Sequence, residues 1–485
     1  MFSKPNPTDR PAHRESGGIE FDTLEPRKLL SHTTGLDHAL YMPEGFSAPS
    51  VVEVVELAYA DDSGSADWEL WAHYERDGAG DEITRIAQGT LNAGDTDSVA
   101  VWGDGASLVR ADEPYSLVLR TSDDDMTALL RHSDFDAQTA QHFVEVGDDD
   151  FVITGLRRDD AASRDFVVFH NTGDDSTTVR LELEDNRGRT FVFQQTVLSD
   201  RRGGWNLQQM ENLPRGVFTA RVTSDNMLVL AGTRYALERD VATIELPNRT
   251  LAAAGALLSA EFDGGGGPDE DTTFFIANPS DETVEIRFTT IQRDDGPISG
   301  PATFTATVGA NDTASVSLRD VGFNGGDDDF SIVYEADAAI SVSVVTERRS
   351  NLIFTQPETR ASESWFFDQG LIERLRSDEI RTEDVYLFNP TAISQDVTIT
   401  FTFADGTRIV ETKSLDSLEV EDVDGRIDDL FGLPIGGLAF TISIESTGPL
   451  VAMLEHWDPI DRASPATSHG VPTGTVLDLV GIAVF

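Results

Sequence analysis

The chain has 485 residues, 39% of them hydrophobic and 8% aromatic, and its 86 Asp and Glu against 36 Lys and Arg leave a formal charge of -50. That length exceeds one ordinary hydrophobic core and predicts several units of about 100–150 residues each, while the apolar content excludes wholesale disorder. A surface this acidic repels the phosphates of nucleic acid and anionic lipid, and it predicts a monomer kept soluble in salty water, where self-repulsion is screened.

The positive charge is nearly all arginine, since Lys4, Lys28 and Lys413 are the only lysines. None of them follows a glycine as a phosphate-binding loop requires. There is no cysteine, so disulfides and thiolate metal sites are excluded and packing alone must stabilise the fold. No apolar stretch approaches the roughly 20 residues of a membrane-spanning helix.

The first element is a leader, residues 1–35, expected to be disordered. It is polar and lacks the apolar core of a secretory signal. Within it runs Leu24-Glu25-Pro26-Arg27, then Leu29-Leu30, with Phe21 three residues ahead of Leu24. This run resembles the LEPR-x-LL motif found near the N-terminus of large surface or exported proteins of planctomycete-type bacteria. The resemblance implies export or surface association and carries no catalytic residue.

Beyond the leader one pattern recurs four times. An Asx residue ends an apolar run at Asp61, Asn171, Asn278 and Asn389, and a glycine follows at Gly78, Gly188, Gly296 and Gly406. The Asx positions are 110, 107 and 111 residues apart, a period that suits a whole β-sandwich rather than a solenoid repeat. After each Asx comes an alternating strand, clearest where Val397, Ile399, Phe401 and Phe403 interleave with Thr398, Thr400 and Thr402. Such period-2 alternation predicts a half-buried strand. Each copy closes with two further apolar runs, broken at residues 122–125, 224–226, 336–338 and 446–449, which read as hairpin-like pairs. Only residues 371–376 and 426–431 read as locally helical, and Val476 to Phe485 as a last buried strand.

The expected fold is therefore all-β: four tandem antiparallel Ig-like β-sandwich domains in line, at residues 36–136 (the divergent copy), 137–240, 241–350 and 351–485, with linkers near 134–141, 236–255, 347–363 and 459–475. The third and fourth copies, with Trp365-Phe366-Phe367-Asp368-Gln369-Gly370 and Asn389-Pro390, are similar to bacterial secreted repeat modules of a "WYFAEG … NP" pattern. That similarity implies an extracellular module without assigned activity.

The chemistry legible in the residues is sparse. There is no HExxH pair and no GxSxG elbow, so no catalytic residue is nominated and the chain is read as a non-enzyme. Histidines look scattered and are read as surface or satisfied loop residues. Acidic runs at Asp123-Asp124-Asp125, Asp269-Glu270-Asp271, Asp148-Asp149-Asp150 and Asp327-Asp328-Asp329 could supply hard oxygens, and the last two are the candidate calcium ligands. No other cofactor is expected. A solvated acidic loop is the plainer reading of each run. The six tryptophans do not recur at equivalent positions, which favours core packing over a shared sugar platform. The functional expectation is an extracellular or cell-surface structural or display protein, meeting matrix, polysaccharide or another surface protein. The alternative is an adhesin or glycan binder with calcium-stiffened loops.

Overall fold

A computed structural model describes residues 35–479, apart from 60–62, 75–82, 104, 135–136, 146, 160–162, 186, 237–240, 246–250, 264–270, 293–299, 324–326, 349–350, 377–378, 404–405, 424–435, 458–465, 470 and 473–474. The described chain is nearly all strand, in several antiparallel sheets, with one 3₁₀ turn at Leu207–Gln209. The sorting-type run at residues 24–30 and the 426–431 segment lie outside the described residues.

The strands fall into four successive groups with the same pairing order. Each group is two sheets of four main strands. In the fourth group the first sheet runs Arg408–Leu415, Gln395–Phe403, the first half of Gly436–Trp457, then Arg360–Arg376. The second runs Val420–Asp422, Glu379–Phe388, the second half of Gly436–Trp457, then Ala466–His469. The alternation explains the burial: Val397, Ile399, Phe401 and Phe403 face Val385, Leu387, Ala452 and Leu454 across one shared core. The last residues contribute a strand at Val476–Asp478 that pairs with Arg360–Ser362. Val476 and Leu477 are exposed, and Leu479 is the residue buried there.

The closing runs of each copy are not hairpins. In three groups they are one long strand, Gly216–Ala236, Asp327–Arg348 and Gly436–Trp457, that leaves the first sheet and enters the second. Gly436–Trp457 pairs with Gln395–Phe403 up to Ser446 and with Glu379–Phe388 from Val451 onward. Gly448 and Pro449 fall in this handover, where a missing side chain or donor costs the ladder nothing. In the first group the handover is a true break, and Tyr115–Thr121 and Met126–Asp134 lie in different sheets.

The Asx residue is the plug of the other crossing. Asn389 is fully buried, and its Nδ2 donates to the carbonyls of Ile393 (2.8 Å), Leu415 (3.2 Å) and Asp416 (2.8 Å), while Oδ1 accepts from the Thr391 N–H and hydroxyl and from Gln395. Asn278 donates equivalently to Glu282, Val308 and Gly309, and Asn171 to Asp175 and Leu198. One side chain thus satisfies backbone groups that a sheet-to-sheet corner would otherwise orphan. Asp61 lies outside the described residues.

Beside each plug the chain turns through a left-handed residue three positions after a buried apolar one: Gly94 after Leu91, Asp200 after Val197, Asn311 after Val308 and Leu418 after Leu415. At Asp200, Asn311 and Leu418 the corner is tied to the plug's neighbourhood by backbone bonds from Asp200 to Asn171, Asn311 to Ser280 and Leu418 to Asn389.

The described parts of the expected linkers include strands. Val241–Glu245, Asn351–Thr355 and Ala466–His469 each pair back onto the preceding crossing strand and Ala137–His142 onto Met126–Asp134, so the sheets divide the chain a few residues later than composition suggests. Residues 371–376 are also strand, because their backbone is hydrogen-bonded between Gly436–Phe440 and the 379–381 segment, and tertiary pairing overrides helix propensity.

The groups are not in line. In the second and third groups the opening strand lies against the pre-Asx and crossing strands of the next: Asp148–Asp159 against Asp271–Asn278 and Asp327–Arg348, and Ala252–Asp263 against Glu379–Phe388 and Gly436–Trp457, while the first group meets the second where Ser65–Tyr74 and Tyr115–Thr121 touch Arg201–Asn206. The fourth repeats this on the first, with Arg360–Arg376 against Val52–Tyr59 and Met126–Asp134. The four closing strands also touch in succession, ending with Ala466–His469 against Ala137–His142. A head-to-tail contact that returns to its start at the fourth step makes a closed ring.

Candidate functional site

Among the described residues, one acidic run gathers its carboxylates and the candidate calcium run at Asp148–Asp150 does not. Asp148, Asp149 and Asp150 begin the Asp148–Asp159 strand, where successive side chains point to opposite faces. Asp150 is held by Arg221 (2.9 and 2.5 Å), and Asp148 accepts from the N–H of Asp149. Asp327, Asp328 and Asp329 are likewise strand residues, paired with Asp263, Phe262 and Glu261, and their side chains lie outside the described residues. Asp123, Asp124 and Asp125 do cluster, on the first group's handover, with Asp123 accepting from Tyr59 (3.0 Å) and from the Asp125 N–H. Asp271 accepts from Ser317 and Arg319. Trp68 and Trp365 are buried, and Trp102 and Trp365 spend their indole N–H on the carbonyls of Ala48 and Leu450.

The polar residues that do converge lie between the first and second groups. The pre-Asx strand Ser163–Asn171 carries Phe166-Val167-Val168-Phe169, apolar on both faces. Val167 and Phe169 enter their own core, whereas Val168 and Phe166 pack into that of the first group. His170 shares the outward face with Val168 and is fully buried. Opposite it, on the outer face of Ser65–Tyr74, stands His73, also fully buried, with Ser116 beside it on the next strand. The third member, Asp200, is the left-handed corner residue that the Asn171 plug secures.

A hydrogen bond sets the His73 tautomer. His73 Nδ1 lies 2.9 Å from the Asp200 carbonyl, which can only accept, so Nδ1 carries the proton and Nε2 the lone pair. His170 Nδ1 lies 2.8 Å from Ser116 Oγ, which is also 3.4 Å from the His73 carbonyl, so the one Ser116 proton is shared between two acceptors. The Nε2 atoms of both imidazoles are buried without a hydrogen-bond partner. His170 Nε2 is 3.8 Å from Asp200 Oδ1, and the two rings meet edge to face at 5.1 Å.

Burial, with the neighbouring His170, pushes His73 down to about 3, so it is neutral at ordinary pH. Burial alone would raise the Asp200 carboxyl, but His170, His73 and Arg120 outweigh it and hold the group below its usual value. Tyr41 stacks obliquely on His170 at 5.4 Å. A few residues away the same interface carries Arg202, which donates to the Pro43 carbonyl (3.2 Å) and approaches Glu44 (3.4 Å). Glu44 is raised by burial against that attraction.

Two other buried ionic groups serve single units. Arg234 clamps Asp165 (2.6–3.2 Å) and the Gly155 carbonyl. Glu53 accepts from Tyr115 and from the Phe46 N–H and sits 2.9 Å from His132.

Reading the histidines as surface or satisfied loop residues misses this cluster: His73, His132 and His170 are fully buried strand residues. The legible signal is the unbroken apolar run before Asn171, which marks a strand covered on both faces. A histidine in register with that run is then an interface residue.

No protein-family model matches the chain, and no curated protein matches it. Among solved structures the chain is similar to "Crystal Structure of Thermotoga maritima 1070", at 23% identity over 24% of this chain and 97% of that one, with a TM-score of 0.20. It is similar to the Anabaena sensory rhodopsin transducer at 26% identity, over 19% of this chain and 86% of that one, with a TM-score of 0.17. A tetra-tandem repeat in the extending region of a large adhesion protein aligns over 86% of this chain and 94% of that one, at 13% identity and a TM-score of 0.09.

Proposed function

We propose that the chain is a non-catalytic, exported scaffold: four acidic Ig-like units closed into one ring, spacing or displaying groups at a cell surface or in a matrix. The observation that carries this reading is the closure itself, in which Arg360–Arg376 and Ala466–His469 dock on the first unit. A ring completed within one chain leaves no copy of that docking face free to recruit another molecule, which supports a monomer. The buried ionic groups support the non-enzymatic part, because Arg202–Glu44 and Arg234–Asp165 are spent on holding strands together. Export rests on the Leu24–Leu30 run. The partner class is matrix polysaccharide or another surface protein. The adhesin alternative gains nothing from Asp148–Asp150, whose last carboxylate is taken by Arg221.

Small-angle scattering is expected to give a compact particle, far shorter than four units end to end, and an extended rod would sink the proposal. Labelling of intact cells with a membrane-impermeant reagent should mark the full chain and fail when residues 24–30 are replaced by alanine. Turnover of chromogenic glycosides or esters would overturn the non-catalytic reading.

A further inference from the structure

We infer that His73, His170 and Asp200 form a site for one divalent transition-metal ion of the zinc class, clasped between the first and second units. Nothing in the scaffold reading requires it. One ligand atom from each of the three residues lies within 4.8 Å of the others. Ligands on a tetrahedral zinc ion, bound at about 2.0–2.1 Å, stand roughly 3.3 Å apart, and His170 Nε2 is already 3.8 Å from Asp200 Oδ1. Side-chain shifts of about an ångström close that gap.

The unpartnered atoms carry the argument. His73 Nε2, in a residue with no exposed surface, has no hydrogen-bond partner, and His170 Nε2, equally buried, has only the Asp200 carboxylate at 3.8 Å; such atoms in native interiors call for an explanation. A metal ion held within this cluster supplies such a partner. Each histidine already has an outer partner of the kind metal-bound imidazoles use, His73 donating its Nδ1–H to the Asp200 carbonyl and His170 Nδ1 hydrogen-bonded with the Ser116 hydroxyl. His73 therefore presents its Nε2 lone pair and, neutral well below neutral pH, gives up no proton on binding.

The donor set selects the metal. Two nitrogens and one carboxylate oxygen suit zinc and its borderline neighbours, whereas calcium and magnesium want oxygen throughout. Asp200 is about 29% exposed along its side chain, which leaves a way in and room for a water as fourth ligand. Arg120 is the cation that faces the cluster and opposes the ion, so affinity is set by the carboxylate as much as by the imidazoles.

The full chain, stripped with a chelator and titrated with Zn²⁺ in a calorimeter at neutral pH, is expected to take up one ion with saturable heat and to unfold at a higher temperature with Zn²⁺ than without it. Asp200→Asn keeps the backbone carbonyl that holds His73 and suits the left-handed corner, so it removes the carboxylate while sparing the fold. It and His170→Gln should each weaken binding at least about tenfold. Bound Co²⁺ should give the native chain a visible ligand-field absorption that both variants lose and that excess Ca²⁺ does not displace. Zn²⁺ heats unchanged in two variants with native circular dichroism would assign the ion to surface carboxylates and overturn the site. So would a native titration without saturation.

Discussion

The junction between the first two units and the junction between the last two both cover the pre-Asx strand of the later unit, with opposite chemistry. Between units three and four, Ala254, Ala256 and Leu258 meet Tyr386, Phe388, Val451 and Met453 in a continuous apolar cluster. Between units one and two, the equivalent strand contributes Phe166 and Val168 but also His170, and opposite it stand His73, Ser116 and the Glu44–Arg202 pair. Apolar contact is non-directional and roughly proportional to area. Buried polar contact instead demands one arrangement, and each unpaired atom in it is costly. The lesson is that the ring is built from one geometry while its junctions differ in what conditions they answer to.

The largest effect expected is at the apolar junction. Phe388→Ala removes a fully buried ring and should lower stability by about 3–5 kcal/mol, read as a shift in urea midpoint. Amide exchange at Val168 should stay unchanged if the junctions are independent, and equal loosening at both would break the comparison. Between units two and three the packing is closer still, because Gly155 adopts φ +76° and the Phe275 ring covers it, 2.9 Å from where a Cβ would sit. Gly155→Ala combines a disfavoured backbone with a clash and should cost about 2–3 kcal/mol.

Acid separates the polar junction from the apolar one. Folded His73 stays neutral down to about pH 3, whereas the unfolded chain takes up that proton near 6.5. Between these values the unfolded state binds more protons, so this group's contribution to stability is full above 6.5 and falls as pH drops. The charged and titratable groups facing it are His170, Asp200 and Arg120. Unfolding midpoints measured from pH 7.5 to 5 should decline, with amides of the Ser163–Asn171 strand exposed before those of Glu379–Phe388. Reversed order would count against the polar junction as the acid-sensitive one. A smaller change, about 1 kcal/mol, is expected for Gly406→Ala, where φ is +80° and nothing surrounds the added methyl, so backbone conformation alone is tested by thermal melting. Smallest of all, millimolar Ca²⁺ should give no saturable heat attributable to Asp148–Asp150.

The repeated sheet pattern was legible because alternation survives any context: Val397 to Phe403 can satisfy only one face of a strand. The Asx residues were legible as corners, though not as plugs, since their buried carbonyl partners lie up to 31 residues away at Gly309. Ala137–His142 escaped notice because its sequence, Ala-Gln-Thr-Ala-Gln-His, has no apolar period. Its place is set by pairing with Met126–Asp134. Gly448-Pro449 read as a turn because both residues break ladders, and the handover between sheets is the one place a long strand tolerates them. The histidine cluster was invisible to spacing, since His73 and His170 come from different units and meet only when those units dock.

Closure by the chain's own ends also has a kinetic side. The face that Arg360–Arg376 presents to the first unit is of the same kind as those inside the ring, so a molecule whose last unit swings away exposes two complementary surfaces. At low concentration the tether returns them to each other, because the linked partner is present at a far higher effective concentration than any neighbour. In crowded or acid-stressed solution the same surfaces fit a second opened molecule, and exchange of the fourth unit between chains becomes the natural route to dimers and longer chains.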